Sequence, residues 1–239
     1  MTQTSNLKDL LAVLLKHLDN KALYDLIAVM IVLIAVKQLL LPASLLLAGP
    51  ASTFVAMIIA TLLLRRRELS WTDLGLRKPV GIVNTFAMTV VSFMTIALIA
   101  TLMGWFTGLF FEKVGDSNRF ANVEGNFGVF MMMMFLVWTH GSIFEELLFR
   151  AFMINRASTY LGGGIKAGLA GAVFSSVFFG YRHYYYQGVA GAIITGSIGF
   201  GLSLLYLWFG RKNIVPLILG HGLVNTISQL QRFLGDDSD

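Results

Sequence analysis

The sequence predicts an all-α polytopic transmembrane helical bundle of seven to eight membrane helices. Three observations carry this. Of 239 residues, 56% are hydrophobic and only 13% are charged, where a soluble domain carries roughly 25% charge. Mean hydropathy is +0.73. The apolar residues gather in runs of about 20, the length that spans a bilayer at 1.5 Å per residue, with short basic clusters between them.

Taken in order, residues 1–21 read as an N-terminal cytoplasmic or interfacial segment, in which Lys8, Asp9, Lys16 and Asp19 interrupt the apolar residues. Residues 7–18 have the pattern of a short amphipathic helix at the inner surface. The first apolar run, from Ala22, has no small-residue cleavage site and reads as a retained helix. Two N-terminal transmembrane helices follow, at about 22–41 and 43–64. Residues 65–79 form a basic cytoplasmic loop with Arg65, Arg66, Arg67, Arg77 and Lys78.

Residues 80–232 hold five more spans, at about 80–104, 127–154, 165–183, 187–209 and 213–231. The sixth span carries Gly188, Gly191, Gly196, Gly199 and Gly201. That density permits close helix packing, or a break into two pieces that gives the eighth element. The stretch 112–125 is the longest polar connection on the outer side, with Gly115, Asp116, Ser117 and Asn118 as turn formers. Residues 233–239 form an acidic tail.

The basic clusters fix the orientation. An inside N-terminus puts Lys21, Arg65–Arg67, Arg77, Lys78, Arg156, Lys166, Arg211 and Lys212 on the cytoplasmic side. The expected location is a multi-pass protein of a bacterial cytoplasmic membrane, bathed in lipid, with its N-terminus cytoplasmic. There is no cysteine, which excludes disulfides, thiolate nucleophiles and thiolate metal sites. The basic residues form no extended face, so no nucleic-acid partner is expected. There is no internal repeat of the kind that marks inverted-repeat transporters.

Three charged side chains, Glu145, Glu146 and Arg150, stand inside the apolar run 127–153. A charge at membrane depth costs roughly 2.5–3.5 kcal/mol on insertion scales. Glu145 and Glu146 are neighbours, so on an α-helix they diverge by about 100° and cannot share a role. Glu146 and Arg150 are four apart, in the order that suits an ion pair. Glu145 is then left as an unpaired carboxylate, which suits a general base. His140 lies about 140° around the same helix from Glu145 and reads as a packing or hydrogen-bonding residue.

Phe179 and His183 are four apart on the fifth span, and His221 and Asn225 repeat the spacing on the seventh. Each pair shares one helix face. Together three helices offer a carboxylate, two imidazoles and a carboxamide, enough to activate water and stabilise an oxyanion. By helical rise Glu145 lies about 16 Å from Arg156 and His221 about 13 Å from Lys212, but His183 lies about 25 Å from Lys166. Trp71 reads as an interfacial anchor.

The order Glu-Glu-x-x-x-Arg, Phe-x-x-x-His and His-x-x-x-Asn resembles the CPBP (Abi) family of intramembrane proteases, which includes the CAAX prenyl endopeptidases. The resemblance extends over about 65–230, with Trp71, Asp73, Leu74, Gly75, Leu76 and Arg77 similar to the stretch before that family's core. It implies Glu145 as general base and His183 as a helper that positions or activates water. His221 and Asn225 would stabilise the oxyanion. Glu146 and Arg150 would support the site, with Phe179 packed beside it. The implied substrate is a peptide or membrane protein. Metal-free hydrolysis is favoured, with no cofactor. A divalent metal such as zinc is the other route, held by Glu145, His183 and His221 as N/O ligands, though the His-Glu-x-x-His pair of zinc proteases is missing. The rival class is a non-catalytic immunity or scaffold protein that binds a peptide or membrane protein through the same cluster. A proton-coupled transporter is a third reading.

Overall fold

The computed structural model describes residues 20–79, 81–111 and 122–235. The amphipathic helix expected at 7–18, most of the outer polar stretch and the end of the acidic tail lie outside the described residues. Six helices and no strand occur among the described residues. They are α1 (Asn20–Leu40), α2 (Leu45–Arg66), α3 (Ile82–Gly108), α4 (Phe127–Tyr160), α5 (Gly164–Trp208) and α6 (Val215–Leu234).

Five of these, α1 to α5, are long and apolar enough to cross a membrane. Two physical features separate that count from the expected seven to eight. α6 has the length, but His221, Asn225, Gln229 and Gln231 lower its apolar character. α5 runs for 45 residues, about 67 Å at helical rise and more than twice a hydrocarbon core. It does not run straight. Gly188 has φ 64° and ψ −162°, a conformation essentially confined to glycine, and the chain reverses there.

The two legs of α5, 164–187 and 189–208, pack against each other. Gly180 touches the Ala192 carbonyl and Gly196 so closely that a Cβ would collide. Ser176 Oγ lies 3.4 Å from Ser203 Oγ. Leu207 lies beside Gly168. Positions that rise on one leg pair with positions that fall on the other, so the legs are antiparallel. The second leg is helical throughout; the break lies at Gly188, at the very start of the sixth span, and does not divide that span into two pieces. Its glycines do serve close approach, with Gly199 against Phe179 and Gly201 against Ile99 of α3.

α4 is the central element. α1 and α2 pair on one side of it, α5 and α6 contact it on the other, and α3 covers α5 and α6. All eight residues of Glu146–Met153 are buried. The basic clusters collect at one end of the bundle. Arg67 forks onto Asp25 of α1 at 2.9 and 3.0 Å, and Arg156 of α4 lies 3.9 Å from the same carboxylate. Arg211 donates to Asn155 and Ser158.

The loop between α2 and α3 is docked onto this end. Tyr206 donates to the Leu74 carbonyl at 2.7 Å, and the Ile214 amide donates to the Gly75 carbonyl at 2.9 Å. Gly75 (φ 100°) lies against the Arg211 backbone, where no side chain fits. Trp71 is half-buried. It packs on Phe152 and donates its indole N–H to Thr61 at 3.0 Å.

Candidate functional site

The site is built on a widened stretch of α4. Thr139–Phe144 and Glu146–Met153 follow the π-helical pattern, with hydrogen bonds reaching five residues rather than four. Bonds to α6 hold this stretch. Ser142 donates its hydroxyl to the Ile218 carbonyl, and Asn225 donates its amide to the Gly141 carbonyl at 3.0 Å. A backbone carbonyl engaged by a neighbouring helix is released from its usual α-helical partner, which favours such a bulge.

Glu146 is fully buried. His221 Nδ1 donates to its Oε1 at 2.8 Å. Arg150 Nε lies 3.3 Å from its Oε2, the expected four-residue pair. The Arg150 guanidinium rests 4.4 Å above the Phe179 ring. Phe179 meets Phe149 edge-on at 4.9 Å and His183 at 4.6 Å. His183 Nδ1–H donates to the Phe179 carbonyl at 2.8 Å. A carbonyl only accepts, so this bond puts the neutral ring's proton on Nδ1 and makes Nε2 its acceptor. Glu146, Arg150, Phe179, His183 and His221 thus form one chain of contacts across three helices.

Glu145 faces elsewhere, as adjacency requires. Its Oε1 lies 3.7 Å from His140 Nε2, and it is within electrostatic range of His221, Arg182, Arg150 and Glu146. The α-helical count turned His140 away from Glu145 and left Glu145 unpaired. The π-helical winding overturns both, because it brings residues five apart onto one face. No residue pattern in the sequence marks that bulge.

Three further groups escaped the sequence reading. Gly49 of α2 faces His140, and a Cβ there would stand 3.7 Å from His140 Nε2 and 3.3 Å from the Tyr186 hydroxyl. Arg182, beside His183, donates to the Leu33 carbonyl at 2.9 Å and to Ser52 and Thr53 at 3.1 and 3.2 Å. Lys37 donates to the Arg182 carbonyl and lies over the rings of Tyr185 and Tyr186. The signal that Lys37 and Arg182 give in the sequence is an ionisable group within or beside an apolar run. Arg182 also accounts for the depth of His183, since it ties that level of α5 to the far halves of α1 and α2.

Among the described residues, no three His, Asp or Glu side chains gather in a set able to hold a metal ion. Residues 127–227 match the family described as Type II CAAX prenyl endopeptidase Rce1-like. That region contains all three motifs; the loop 65–79 lies outside it. No curated protein and no solved structure matches the chain.

Proposed function

We propose, from the match of residues 127–227 to the Rce1-like type II CAAX prenyl endopeptidase family, that this protein is an intramembrane endopeptidase that hydrolyses a peptide or membrane-protein substrate with Glu145 as general base. The observation that carries the reading is the Glu146–His221 hydrogen bond at 2.8 Å. It locks the Glu-Glu-x-x-x-Arg helix to the His-x-x-x-Asn helix, at a depth where an idle buried ion pair would only cost stability.

Glu145 takes a proton from water, and the hydroxyl oxygen adds to the scissile carbonyl carbon. His183, with Nε2 as its acceptor atom, orients that water. The oxyanion is met by the Asn225 amide, which carries a second N–H beyond the one given to Gly141, and by His221 Nε2–H when that ring is doubly protonated. Collapse breaks the C–N bond, and Glu145 returns its proton to the leaving amine. Glu146 and Arg150 hold His221 and Phe179 in register. No step calls for a metal. In this reading the basic end of the bundle faces the cytoplasm, each leg of α5 crosses the membrane, and α6 completes seven spans.

One observation favours the rival reading, a non-catalytic protein that binds a peptide through the same cluster: Asn225 and His221 both make bonds to α4 that hold helices together. The test is cleavage of a farnesylated CAAX peptide, and of its unprenylated twin, by the purified protein in detergent. Cleavage abolished by Glu145→Gln and spared by chelator supports the proposal. Cleavage lost to chelator overturns the metal-free mechanism. A folded wild type that binds the peptide and never cuts it supports the rival.

A further inference from the structure

We infer that His140 is the positioning residue of Glu145, holding one carboxylate oxygen so that the other is presented to water. The inference rests on Glu145 as general base. Three observations carry it. His140 Nε2 lies 3.7 Å from Glu145 Oε1. Both side chains are largely buried, at 15% and 9% exposure. The segment between them is wound as a π-helix, which alone brings positions 140 and 145 together.

The surroundings are shaped for the same contact. Gly49 presents bare backbone to the imidazole, and the Tyr186 hydroxyl lies close to the same point. Arg182 and His221 face Glu145 from α5 and α6, and Arg150 and Glu146 from its own helix. None of these comes within ion-pair distance of the Glu145 carboxylate among the described residues; His140 does. The 3.7 Å gap is longer than a hydrogen bond, as catalytic contacts commonly are before substrate tightens them. In the reaction no bond to His140 is made or broken. Its Nε2–H faces Oε1, leaving Oε2 to take the water proton and later return it to the leaving amine.

The test compares His140→Phe, which keeps the bulk, with His140→Gln, which returns an N–H at similar reach, in the full-length protein. On the peptide above, His140→Phe lowers kcat by about 10²-fold with KM within about twofold, the scale of a misplaced catalytic group. His140→Gln recovers most of that loss. In the Glu145→Gln background His140→Phe costs nothing further, because the two act as a unit. A second readout is independent of turnover: with only four histidines in the chain, 15N-histidine spectra resolve the His140 ring, and its Nε2 resonance moves in Glu145→Gln. His140→Phe with wild-type kcat, or an Nε2 resonance indifferent to Glu145→Gln, overturns the inference. If Glu145→Gln itself remains active, the general-base reading fails first, and the two failures are told apart.

Discussion

His221 on α6 donates to Glu146 on α4 across 2.8 Å, and Glu146 in turn faces Arg150 one turn along its own helix. One buried carboxylate thus accepts a hydrogen bond from His221 and faces Arg150 as an ion-pair partner. Removing it leaves the Arg150 guanidinium, 1% exposed, without its nearest countercharge. Glu146→Ala is therefore expected to cost about 3–5 kcal/mol, read as a fall in unfolding temperature in detergent. Replacing both partners, Glu146→Leu with Arg150→Met, is expected to cost less than Glu146→Ala alone. Equal losses would mean the pair does not act as a pair.

Asn225 connects the oxyanion proposal to the helix packing. Its amide donates to the Gly141 carbonyl, inside the bulge that bears His140. A purely structural tie is worth about 1 kcal/mol. An oxyanion donor is worth about 10²–10³ in kcat. We expect Asn225→Ala to show the large kinetic loss beside a small shift in unfolding temperature. A variant that loses only stability would assign Asn225 to packing.

Much of this arrangement is legible in the sequence, and the reason is spacing. Pairs four apart, Glu146/Arg150 and Phe179/His183, meet as helical geometry requires. Glu145 and Glu146 diverge because neighbours must. The illegible part follows from one local departure. The π-helical turns lie where α6 bonds to Gly141 and Ser142, and tertiary contacts leave no mark on the chain's own periodicity. His140 was misplaced for that reason. The role of Arg182 is not legible because a basic residue near a span end looks like a topology signal, whereas its partners Leu33, Ser52 and Thr53 lie 129 to 149 residues away.

Arg182 makes its own prediction. Its three hydrogen bonds stitch α5 to α1 and α2, and each bond to a charged donor is worth about 1.5–3 kcal/mol. Arg182→Met is expected to destabilise by at least one such bond. It is also expected to lower activity, because His183 is carried on the same turn. Thermal unfolding and turnover measured on one preparation check both. Arg182→Met with wild-type stability would remove the stitch from the account.

The loop before α3 carries a pH dependence. Asp73 Oδ2 accepts from the Ser70 amide at 2.8 Å and from the Ser70 hydroxyl at 2.6 Å. These bonds, with the nearby Arg77 charge, hold the carboxyl below its ordinary range. A group whose value is lowered by folding contributes stability above its unfolded value. That contribution is lost as pH falls through the lowered one. The carboxyl is solvent-exposed, so the effect is local and small. Trp71 fluorescence, followed from pH 7 to pH 3, is expected to report loosening of the loop in wild type. Asp73→Ala is expected to begin already loosened and to lack that component. Identical profiles for the two proteins would show that Asp73 does not brace the loop.

The reversal of α5 rests on two glycines with different duties. Gly188 supplies a backbone conformation that side chains avoid. Gly180 supplies room, because a Cβ would collide with the Ala192 carbonyl, which is backbone and cannot turn aside. Gly180→Val therefore pushes the legs apart, at about 1–3 kcal/mol for an overpacked contact. The displacement reaches the site directly, since Gly199 on the second leg lies against both Phe179 and the Arg150 guanidinium of α4. We expect Gly180→Val to lose activity out of proportion to stability. Gly188→Ala is expected to destabilise through strain at the turn, with kcat of the folded fraction near wild type. Activity normalised to folded protein separates the two, and matching losses would mean that spacing between the legs does not set the geometry of the site.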